Sequence, residues 1–446
     1  MNMYAKHRKA MMRRLPDGLV LLSGGGEVRR NNDVSCIFRQ SSNFLYLTGV
    51  EEPDCSVLLD PKRRTSTLFI PKIDSKHRVW RGDVPGPAQA RKLYGFPRVR
   101  YADTLPATLK DTKKGYRKIY ADKTAWQSQR RALGGRHNDG GALREALREL
   151  RAVKTPGEIA LMRRASRISS QAHIEAMRAA RPGMREYEVQ AVFEAACRRA
   201  GARHQAYPSI IAGGRHCAVL HYGKNDAVLK AGELLLIDAG AEIGGYAADI
   251  TRTFPVGPRF TRRQRDIYAI VLAAQKACLG KARAGRTSAE LHNHSARIIA
   301  EGLRDLKLLR GGTDGLVESG AVRLFYPHGL GHMLGLDVHD SDGGKKRKIP
   351  NPTKLPMRFV TRLEPGFVIT IEPGVYFIRA LLTDPKHRRK HRSAVDFGRA
   401  DGYLGFGGVR IEDNIVIRPS GPSLNLTAVP KEIKDIEKLR AGGRRG

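Results

Sequence analysis

Residues 325–340 read FYPHGLGHMLGLDVHD, a stretch that places His328, His332 and His339 within twelve positions. The first two are four residues apart, the spacing that puts two zinc ligands on one face of a helix in zinc peptidases. A helix is disfavoured here because the two glycines between them cost about 2 kcal/mol of helix propensity. An extended chain would also place both side chains on one side. The stretch alone leaves two interpretations open, a metal ligand or ordinary hydrogen-bonded histidines.

Four acidic residues lie within or directly after apolar runs elsewhere in the chain. Asp238 ends LLLID, Asp249 lies in YAADITRTF, Glu372 ends FVITIE and Glu412 lies in GVRIEDNIVI. In the last two runs, strand periodicity turns the acid away from the apolar row. Because burying an unpaired charge is very costly, a salt bridge or a strand-end turn would explain any one of them. The four together, with the histidine stretch, favour a shared metal site.

The residue types in this set indicate which metal ions it would bind. Four carboxylates neutralise two divalent cations, and oxygen ligands with one imidazole favour manganese or cobalt over a thiolate-type zinc site. Two such ions about 3.5–4 Å apart can bridge a hydroxide and polarise a carbonyl group, which is hydrolytic chemistry. We expect two divalent ions, with Mn2+ first and Co2+ or Zn2+ as alternatives.

Length and composition bound the class of protein. The 446 residues are enough for two or three domains. Lys and Arg number 80 against 44 Asp and Glu, and the resulting charge of +36 would attract acidic peptides, nucleic acid or anionic membrane. Because this charge is spread along the chain, we do not expect nucleic-acid binding as the main function. No apolar run reaches the ~20 residues of a membrane span, so no membrane association is expected.

Cysteine usage and the amino-terminal segment bear on location. The five cysteines are scattered without a CxxC pair, which favours a reducing compartment. The basic start MNMYAKHRKAMMRRLPDG is conceivable as a transit peptide, but it lacks serine and continues directly into the strand-like GLVLL. We therefore expect it to form the first helix of the folded protein, and we expect a cytoplasmic location.

Two domains are predicted from the order of the elements. Residues 18–150 alternate strand-like runs (GLVLLS, DCSVLLD, STLFIP, KIYAD) with helical stretches, which is typical of an α/β domain. The capping box Thr155-Pro156-Gly157-Glu158 then opens an amphipathic helix. We predict an amino-terminal α/β domain over 1–152 and a larger domain over 153–446.

In the larger domain, helices alternate with hairpin-like strands. A second capping box predicts a helix from Thr261 to about Gly280. Strands are expected at VLHYG (219–223), LLLID (234–238), FVITIE (367–372) and GVRIEDNIVI (408–417). This order is typical of an α+β fold. The basic stretches 343–358 and 382–393 are expected to be exposed loops.

One known family has these residues in the same order. The chain resembles the proline-specific metallopeptidases of pita-bread fold, the Xaa-Pro aminopeptidases (aminopeptidase P) and prolidases, in the contexts DAG, DITRTFP, HGLGHMLGLDVHD, TIEPG and GVRIED. The run FRQSSNFLYLTGVEEPDCSVLLD at 38–60 is similar to their amino-terminal domain. The resemblance implies an α+β pita-bread catalytic domain after a smaller α/β domain. It also implies substrates with a penultimate proline and a homo-oligomer, a dimer or tetramer.

The resemblance assigns five metal ligands, which are Asp238, Asp249, His332, Glu372 and Glu412. Asp238 and Asp249 would come from adjacent strands, and Asp249 and Glu412 would bridge both ions. The implied nucleophile is a bridging hydroxide, and Glu372 would also accept a proton from the attacking water. The glycines around His332 would leave room for close backbone approach.

The resemblance also implies roles on the substrate side of the site. His221 and His339 would stabilise the oxyanion and contact the proline residue. His328 would orient the site or relay protons. Arg410 would tie the active-site strands together or contact substrate, and Tyr376 would wall the proline slot.

Two activities within the family stay open. FRQSSNFLYLTG is most like the aminopeptidases, whereas the long segment from Ile378 to Phe406 resembles prolidases and some bacterial aminopeptidases. A prolidase must hold the free carboxylate of its dipeptide, a task that suits arginine. Arg358 lies where prolidases carry such an arginine. We predict a Xaa-Pro aminopeptidase, with the Xaa-Pro dipeptidase as the alternative.

Other classes match less well. Methionine aminopeptidases share the five ligands but not this amino-terminal domain, and creatinases lack the ligands. A noncatalytic pita-bread protein that binds nucleic acid or protein is a remote alternative. Only the net charge and the basic runs KKRK (345–348) and KHRRKHR (386–392) suggest it.

Overall fold

The chain folds into two units. The computed structural model describes residues 2–134, 137–351 and 357–442. One unit comprises Met1–Arg151 with Gly343–Lys346, and the other comprises Ala152–Asp342 with Arg347–Gly446. The basic start of the chain forms a helix, as predicted.

The amino-terminal unit is built on one mixed sheet. Its strands are β1 (Gly18–Ser23), β2 (Arg29–Asn31), β3 (Val34–Ser35), β4 (Ser56–Asp60), β5 (Thr65–Ile70), β6 (Arg98–Tyr101), β7 (Lys118–Ala121) and β8 (His137–Asn138). Six of them form the sheet in the order β6-β5-β4-β1-β7-β8. The four strands predicted from apolar runs are confirmed as β1, β4, β5 and β7. Its helices are α1 (Met3–Arg14), α2 (Ser42–Thr48), α3 (Ser75–Arg81), α4 (Pro87–Tyr94), α5 (Leu105–Thr112), α6 (Lys123–Leu133) and α7 (Gly140–Ala152).

The larger unit mixes long helices with short strands. Its helices are α8 (Pro156–Ala179), α9 (Glu186–Arg199), α10 (Arg262–Lys281), α11 (Ser288–Asp305), α12 (Thr313–Glu318), α13 (Arg379–Leu382), α14 (Pro385–His391), α15 (Phe397–Asp401) and α16 (Ile433–Gly442). Both predicted capping boxes are present. Thr155 and Glu158 cap α8, and Thr261 and Gln264 cap α10. Each pair satisfies two backbone N–H groups that the first turn of a helix leaves unpaired.

The strands of the larger unit form small sheets. They are β9 (His204–Gln205), β10 (Ile210–Gly213), β11 (Leu234–Asp238), β12 (Ala241–Ile243), β13 (Tyr246–Ala247), β14 (Thr251–Pro255), β15 (Val368–Ile371), β16 (Gly374–Tyr376), β17 (Gly408–Arg410), β18 (Asp413–Val416) and β19 (Leu424–Asn425). The sheet orders are β10-β11-β14, β13-β12-β9, β15-β18-β19 and β16-β17. Leu235, Ile237 and Phe254 of the first sheet are fully buried in the main core of this unit.

Two predicted strands are wrong. Residues 219–223 form a turn and irregular chain and lie outside the β10-β11-β14 sheet. The run 408–417 is two strands rather than one. β17 pairs with β16 and β18 pairs with β15, so the chain changes partner at Ile411 and Glu412.

One predicted loop is also wrong. Within 382–393 lies helix α14, which begins because the Asp384 side chain accepts hydrogen bonds from Lys386 N and His387 N. In the other predicted loop, residues 352–356 lie outside the described residues. Among the residues that are described, no helix has the combined length and apolar character needed to cross a bilayer.

A buried ion pair anchors the segment that carries the last of the three clustered histidines. Lys154 Nζ lies 3.0 Å from Asp340 Oδ2, and both side chains are 1% exposed. Lys154 N also donates to Gly366 O at 2.8 Å, just before β15, and Asp340 N donates to Met333 O at 2.9 Å. Lys154 thus connects the start of the larger unit to the histidine segment and to β15.

Replacing Lys154 by Met is expected to lower the free energy of unfolding by about 3–5 kcal/mol, because it leaves the Asp340 carboxylate buried without this cation. Lys276→Met is the control, since its pair with Glu432 is exposed, with side-chain exposures of 55% and 39%. That variant should change stability by less than about 1 kcal/mol. Calorimetric melting of both variants measures the difference, and equal losses would contradict the assigned role of the buried pair.

Candidate metal centre and active site

A cavity of ≈ 400 Å³ in the larger unit collects most of the residues singled out by the sequence. Ten of them line it: Asp238, Asp249, Glu372, Glu412, His221, His328, His332, His339, Arg358 and Arg410. Apolar groups complete the wall, among them Pro208, Ile210, Leu220 and Val338. A charged end and an apolar wall therefore face the same space.

Two antiparallel strand pairs deliver the four acids. Asp238 ends β11 and stands opposite Thr251 of β14, and Asp249 lies two residues before β14. Glu372 follows β15, and Glu412 directly precedes β18, where Ile371 pairs with Asp413. Each pair thus brings two acids to one end of its sheet.

Of the three clustered histidines, His332 has the shortest contacts with the acids. Its Nε2 lies 3.3 Å from Asp249 Oδ2 and 3.6 Å from Glu372 Oε1. Its Nδ1 lies 3.0 Å from the carbonyl oxygen of Met333 and donates to it in the neutral ring. That hydrogen bond leaves Nε2 facing the carboxylates, where it would be free to bind a metal ion once it has lost its own proton, the arrangement usual for a metal-binding histidine.

The ligand-type atoms are close enough for one ion to bind several of them. One atom from each of Asp249, His332 and Glu412 lies within 4.8 Å of the others, and all three residues are buried. Asp238 and Glu372 line the same cavity but lie outside this group of three.

The crowded carboxylates perturb one another. Burial raises the pKa of Glu372 to about 7, although His332 and Arg410 oppose the rise. Burial, with the charges of Asp249 and Glu372, raises the pKa of Glu412 well above its ordinary value. Burial also raises the pKa of Asp238 despite the opposing charge of Arg410. The site holds more negative charge than its own cations offset.

Asp249 and His332 shift in the directions expected of partners. Burial would raise the pKa of Asp249, but hydrogen bonds from His332 and Tyr207 lower it overall. Burial would lower the pKa of His332, but the contacts with Asp249 and Glu372 raise it overall. This donor set, two buried and two partly buried carboxylates with one imidazole, fits divalent cations of the hard or borderline class.

Tyr207 is a site residue that sequence reasoning missed. Its hydroxyl lies 2.6 Å from Asp238 Oδ1 and 2.5 Å from Asp249 Oδ1. Because a hydroxyl carries one proton, the two acids share a single donor. Tyr207 lies in an irregular segment before β10, and neither charge nor periodicity marks it in the sequence.

Three side chains, Arg410, Tyr376 and His328, form a hydrogen-bonded row next to the acids. Arg410 donates from Nη2 to Asp238 Oδ2 at 2.6 Å and from Nη1 to the Tyr376 hydroxyl at 2.9 Å. That hydroxyl lies 2.8 Å from His328 Nε2, and His328 Nδ1 lies 2.8 Å from Gly329 O. Since the neutral ring can donate only once, Tyr376 donates to Nε2 and Nδ1 donates to Gly329. Burial lowers the pKa of His328 to about 3.

Tyr376 does not lie where the sequence prediction put it. The residue is fully buried, and it is absent from the described residues that line the cavity. Its ring is packed behind His328 and Arg410, because β16 pairs with β17 and points it toward them.

The remaining substrate-side residues stand around the cavity. The His339 ring lies 4.4 Å from the His332 ring, nearly perpendicular to it. Burial, with the charges of His332 and Arg358, lowers the pKa of His339 to about 4. His221 and Arg358 are exposed and line the cavity.

The glycine before His332 is required by close packing, as the sequence predicts. A Cβ on Gly331 would lie 2.1 Å from the carbonyl oxygen of Thr370 in β15. His332 N also donates to Thr370 Oγ1 at 3.0 Å. The histidine segment therefore lies directly against the strand that carries Glu372.

Comparison with known proteins gives the family. The model of metallopeptidase family M24 matches residues 160–419, and that of the aminopeptidase P N-terminal domain matches residues 4–120. A human Xaa-Pro dipeptidase is 35% identical over 95% of this chain and 89% of its own. A probable Xaa-Pro aminopeptidase of Ajellomyces capsulatus is 37% identical over 98% of this chain and 96% of its own.

A solved structure extends this likeness to the fold. Zinc-substituted aminopeptidase P of Escherichia coli, in complex with product, superposes with a TM-score of 0.85 at 32% identity, over 100% of this chain and 99% of that one. With the cavity and its donor set, these matches confirm the α+β pita-bread fold and the divalent-metal site class. The chain belongs to metallopeptidase family M24 and is a metallo-exopeptidase that carries the amino-terminal domain of the aminopeptidases P.

Proposed function

We propose that this protein is a Xaa-Pro aminopeptidase, which hydrolyses the bond between an N-terminal residue and a penultimate proline. The observation that carries the proposal is that four acids and His332 line one cavity together with an apolar wall. Proline forms a tertiary amide without an N–H, so its binding requires shape and apolar contact rather than a partner for that hydrogen. Relatives named for this activity cover nearly the whole chain.

Two divalent ions would be held by Asp238, Asp249, His332, Glu372 and Glu412. One ligand-type atom from each of Asp249, His332 and Glu412 lies within 4.8 Å of the others, close enough for one ion to bind all three. Manganese is favoured, with cobalt or zinc as alternatives, because the donors are mostly oxygen. When bound, such ions supply Lewis acidity and make water nucleophilic near neutral pH.

The protein's own residues would position the peptide and move its protons. Glu372 accepts a proton from the attacking water, a role for which its carboxylate is placed in the cavity wall beside His332. His339, neutral at physiological pH, contacts the proline residue and with His221 donates to the oxyanion. Each such donor contributes about 3 kcal/mol to transition-state stabilisation.

Arg410, Tyr376 and His328 would act together behind the ligands. Arg410 ties β17 to Asp238 at the end of β11, and it also donates to Thr251 Oγ1 at 3.1 Å. Tyr376 fixes the neutral tautomer of His328, whose Nδ1 lies 3.8 Å from Glu372 Oε2. This row would hold the acids in register and keep His328 uncharged next to Glu372.

A second activity, Xaa-Pro dipeptidase, is favoured by one observation. Arg358 is exposed and lines the cavity, where its guanidinium could pair with the free carboxylate of a dipeptide. The human relative carries that activity in its name. We place the aminopeptidase first because residues 38–49, FRQSSNFLYLTG, most resemble that branch.

Location and assembly follow from the same proposal. We propose a cytoplasmic enzyme, because the five cysteines are free thiols and four of them are buried. We also propose a homo-oligomer, a dimer or tetramer, by resemblance to the family. Its surface charge would influence peptide encounter rather than the chemistry.

The two activities are distinguished by supplying the manganese-loaded protein with Ala-Pro-Ala and Ala-Pro separately and measuring free alanine. We expect cleavage of the tripeptide, because an aminopeptidase does not require a carboxylate on the proline. Cleavage of the dipeptide alone would establish the dipeptidase instead. Asp249→Asn is the inactive control, and failure of the wild-type protein to cleave either peptide would contradict both proposals.

Removing the Tyr207 hydroxyl tests the metal site without an activity assay. We expect Tyr207→Phe to weaken Mn2+ binding by about 10–100-fold, because the hydroxyl donates to the carboxylates of two proposed ligands and helps to orient them. Calorimetric titration of the metal-free protein measures the affinity. Tyr222→Phe, which changes a tyrosine of the cavity wall that contacts none of the proposed ligands, is the matched control, and equal affinities in both variants would contradict the role of Tyr207.

A further inference from the structure

A fully buried carboxylate outside the cavity forms hydrogen bonds to a segment that lines the cavity. Glu186 is the first residue of α9 and is 0% exposed. Its Oε1 accepts from Gly213 N at 2.7 Å and lies 3.2 Å from His216 Nδ1. Its Oε2 accepts from Ala227 N at 2.9 Å and from the Tyr222 hydroxyl at 2.8 Å. One side chain therefore holds both ends and the middle of the segment 213–227.

This segment forms the wall of the cavity that carries His221. Leu220, His221, Tyr222 and Gly223 all line the cavity. Residues 219–227 are turn and irregular chain, so no ladder of backbone hydrogen bonds fixes the stretch that carries His221. In the described part of the chain, the exposed side chain of His221 makes no hydrogen bond of its own. The place of His221 therefore depends on its backbone, which Glu186 holds together with Asn225, whose side chain accepts from Ile211 N and donates to Ser209 O.

We propose that Glu186 is a positioning residue, whose buried carboxylate fixes the segment 213–227 and so places His221 against the substrate. The role of His221 rests on the proposed function, whereas the fixing of the segment by Glu186 does not. Tyr222 links the two, because it contacts Glu186 through its hydroxyl and lies next to His221 in the wall. Its ring also stacks on His216 at 4.5 Å, so the contacts of Glu186 reinforce one another.

The contacts explain why this position needs a carboxylate rather than an amide. Each oxygen of Glu186 accepts from one backbone N–H, Gly213 on one side and Ala227 on the other. A glutamine has one acceptor oxygen and one NH2 group, so it must direct hydrogens at one of these N–H groups. That end of the segment would lose its anchor, because a buried donor without an acceptor is costly.

The test compares Glu186→Gln, His221→Ala and the double variant in the manganese-loaded full-length protein, with Ala-Pro-Ala as substrate. We expect Glu186→Gln to lower kcat/KM by at least about tenfold, mainly through kcat, as misplacement of a catalytic donor does. In the His221→Ala background the same change should alter kcat/KM by less than about twofold, because Glu186 affects the reaction only through the contact between His221 and the substrate. A purely structural effect would lower kcat/KM equally in both backgrounds.

Glu158→Gln is the matched control. Glu158 is 1% exposed, lies in the first turn of α8, and accepts from Thr155 N and the Tyr246 hydroxyl. None of these three residues lines the cavity in the described chain. Any effect of this control should multiply with that of His221→Ala, because the sites are independent.

Hydrogen–deuterium exchange separates this proposal from the proposed function. Peptides from 213–227 should exchange at least about tenfold faster in Glu186→Gln than in the wild-type protein or in Glu158→Gln, since a local anchor is lost. If the wild-type protein cleaves no Xaa-Pro peptide, the proposed function fails, and the exchange result alone decides the role of Glu186. Unchanged exchange at 213–227, or a kcat/KM effect that multiplies with His221→Ala, would overturn the positioning role.

A milder variant covers the case in which Glu186→Gln does not fold. Tyr222→Phe removes one of the donors to Glu186 and leaves the carboxylate and both backbone contacts in place. We expect Tyr222→Phe to lower kcat/KM by about fivefold, which corresponds to the free energy of one hydrogen bond. In the His221→Ala background, Tyr222→Phe should leave kcat/KM unchanged. An equal fall in both backgrounds would overturn the proposal.

Discussion

The catalytic unit depends on holding four carboxylates together in one buried cavity. Like charges at such distances repel, and burial adds to the cost of ionising each of them. Arg410 offsets one charge, Tyr207 donates to the pair on the β11 side, and Thr251 donates to Glu412 at 2.7 Å. These groups do not neutralise the four carboxylates. Burial, together with the charges of the neighbouring acids, therefore raises the pKa values of Glu372 and Glu412. Divalent cations are the partners that such a set lacks.

The backbone around the cavity is arranged to keep the acids in register. Each acid lies at or just beyond the end of a strand, where a side chain can leave the core while its neighbours remain in it. Close contacts then lock the strands to one another. A Cβ on Gly240 would lie 1.9 Å from the carbonyl oxygen of Ala248, and one on Gly331 would meet Thr370 in the same way. The glycines therefore serve packing at the site rather than chain flexibility.

The sequence identified the charged residues of the site but not all of the groups that position them. Acids that end apolar runs are visible because buried charge is rare, and this pattern led to the four acids. The resemblance to the family then added His332 as the fifth proposed ligand. Tyr207 was missed because a tyrosine before a strand is an ordinary core residue until its neighbours in space are known. The residues around His221 were predicted as a strand, since apolar alternation over five residues does not reveal whether a neighbouring strand pairs with them. The break at Glu412 was hidden for the same reason, because pairing partners are set by tertiary structure.

The central claim is that two divalent ions complete this cluster and are needed for hydrolysis. Titrating Mn2+ into the metal-free protein, while measuring bound metal by equilibrium dialysis and alanine release from Ala-Pro-Ala, tests it directly. We expect binding to saturate at two ions per chain and hydrolysis to be absent before metal is added. Full hydrolysis by the metal-free protein, or metal binding that is unchanged when Asp249 is replaced by Asn, would contradict it.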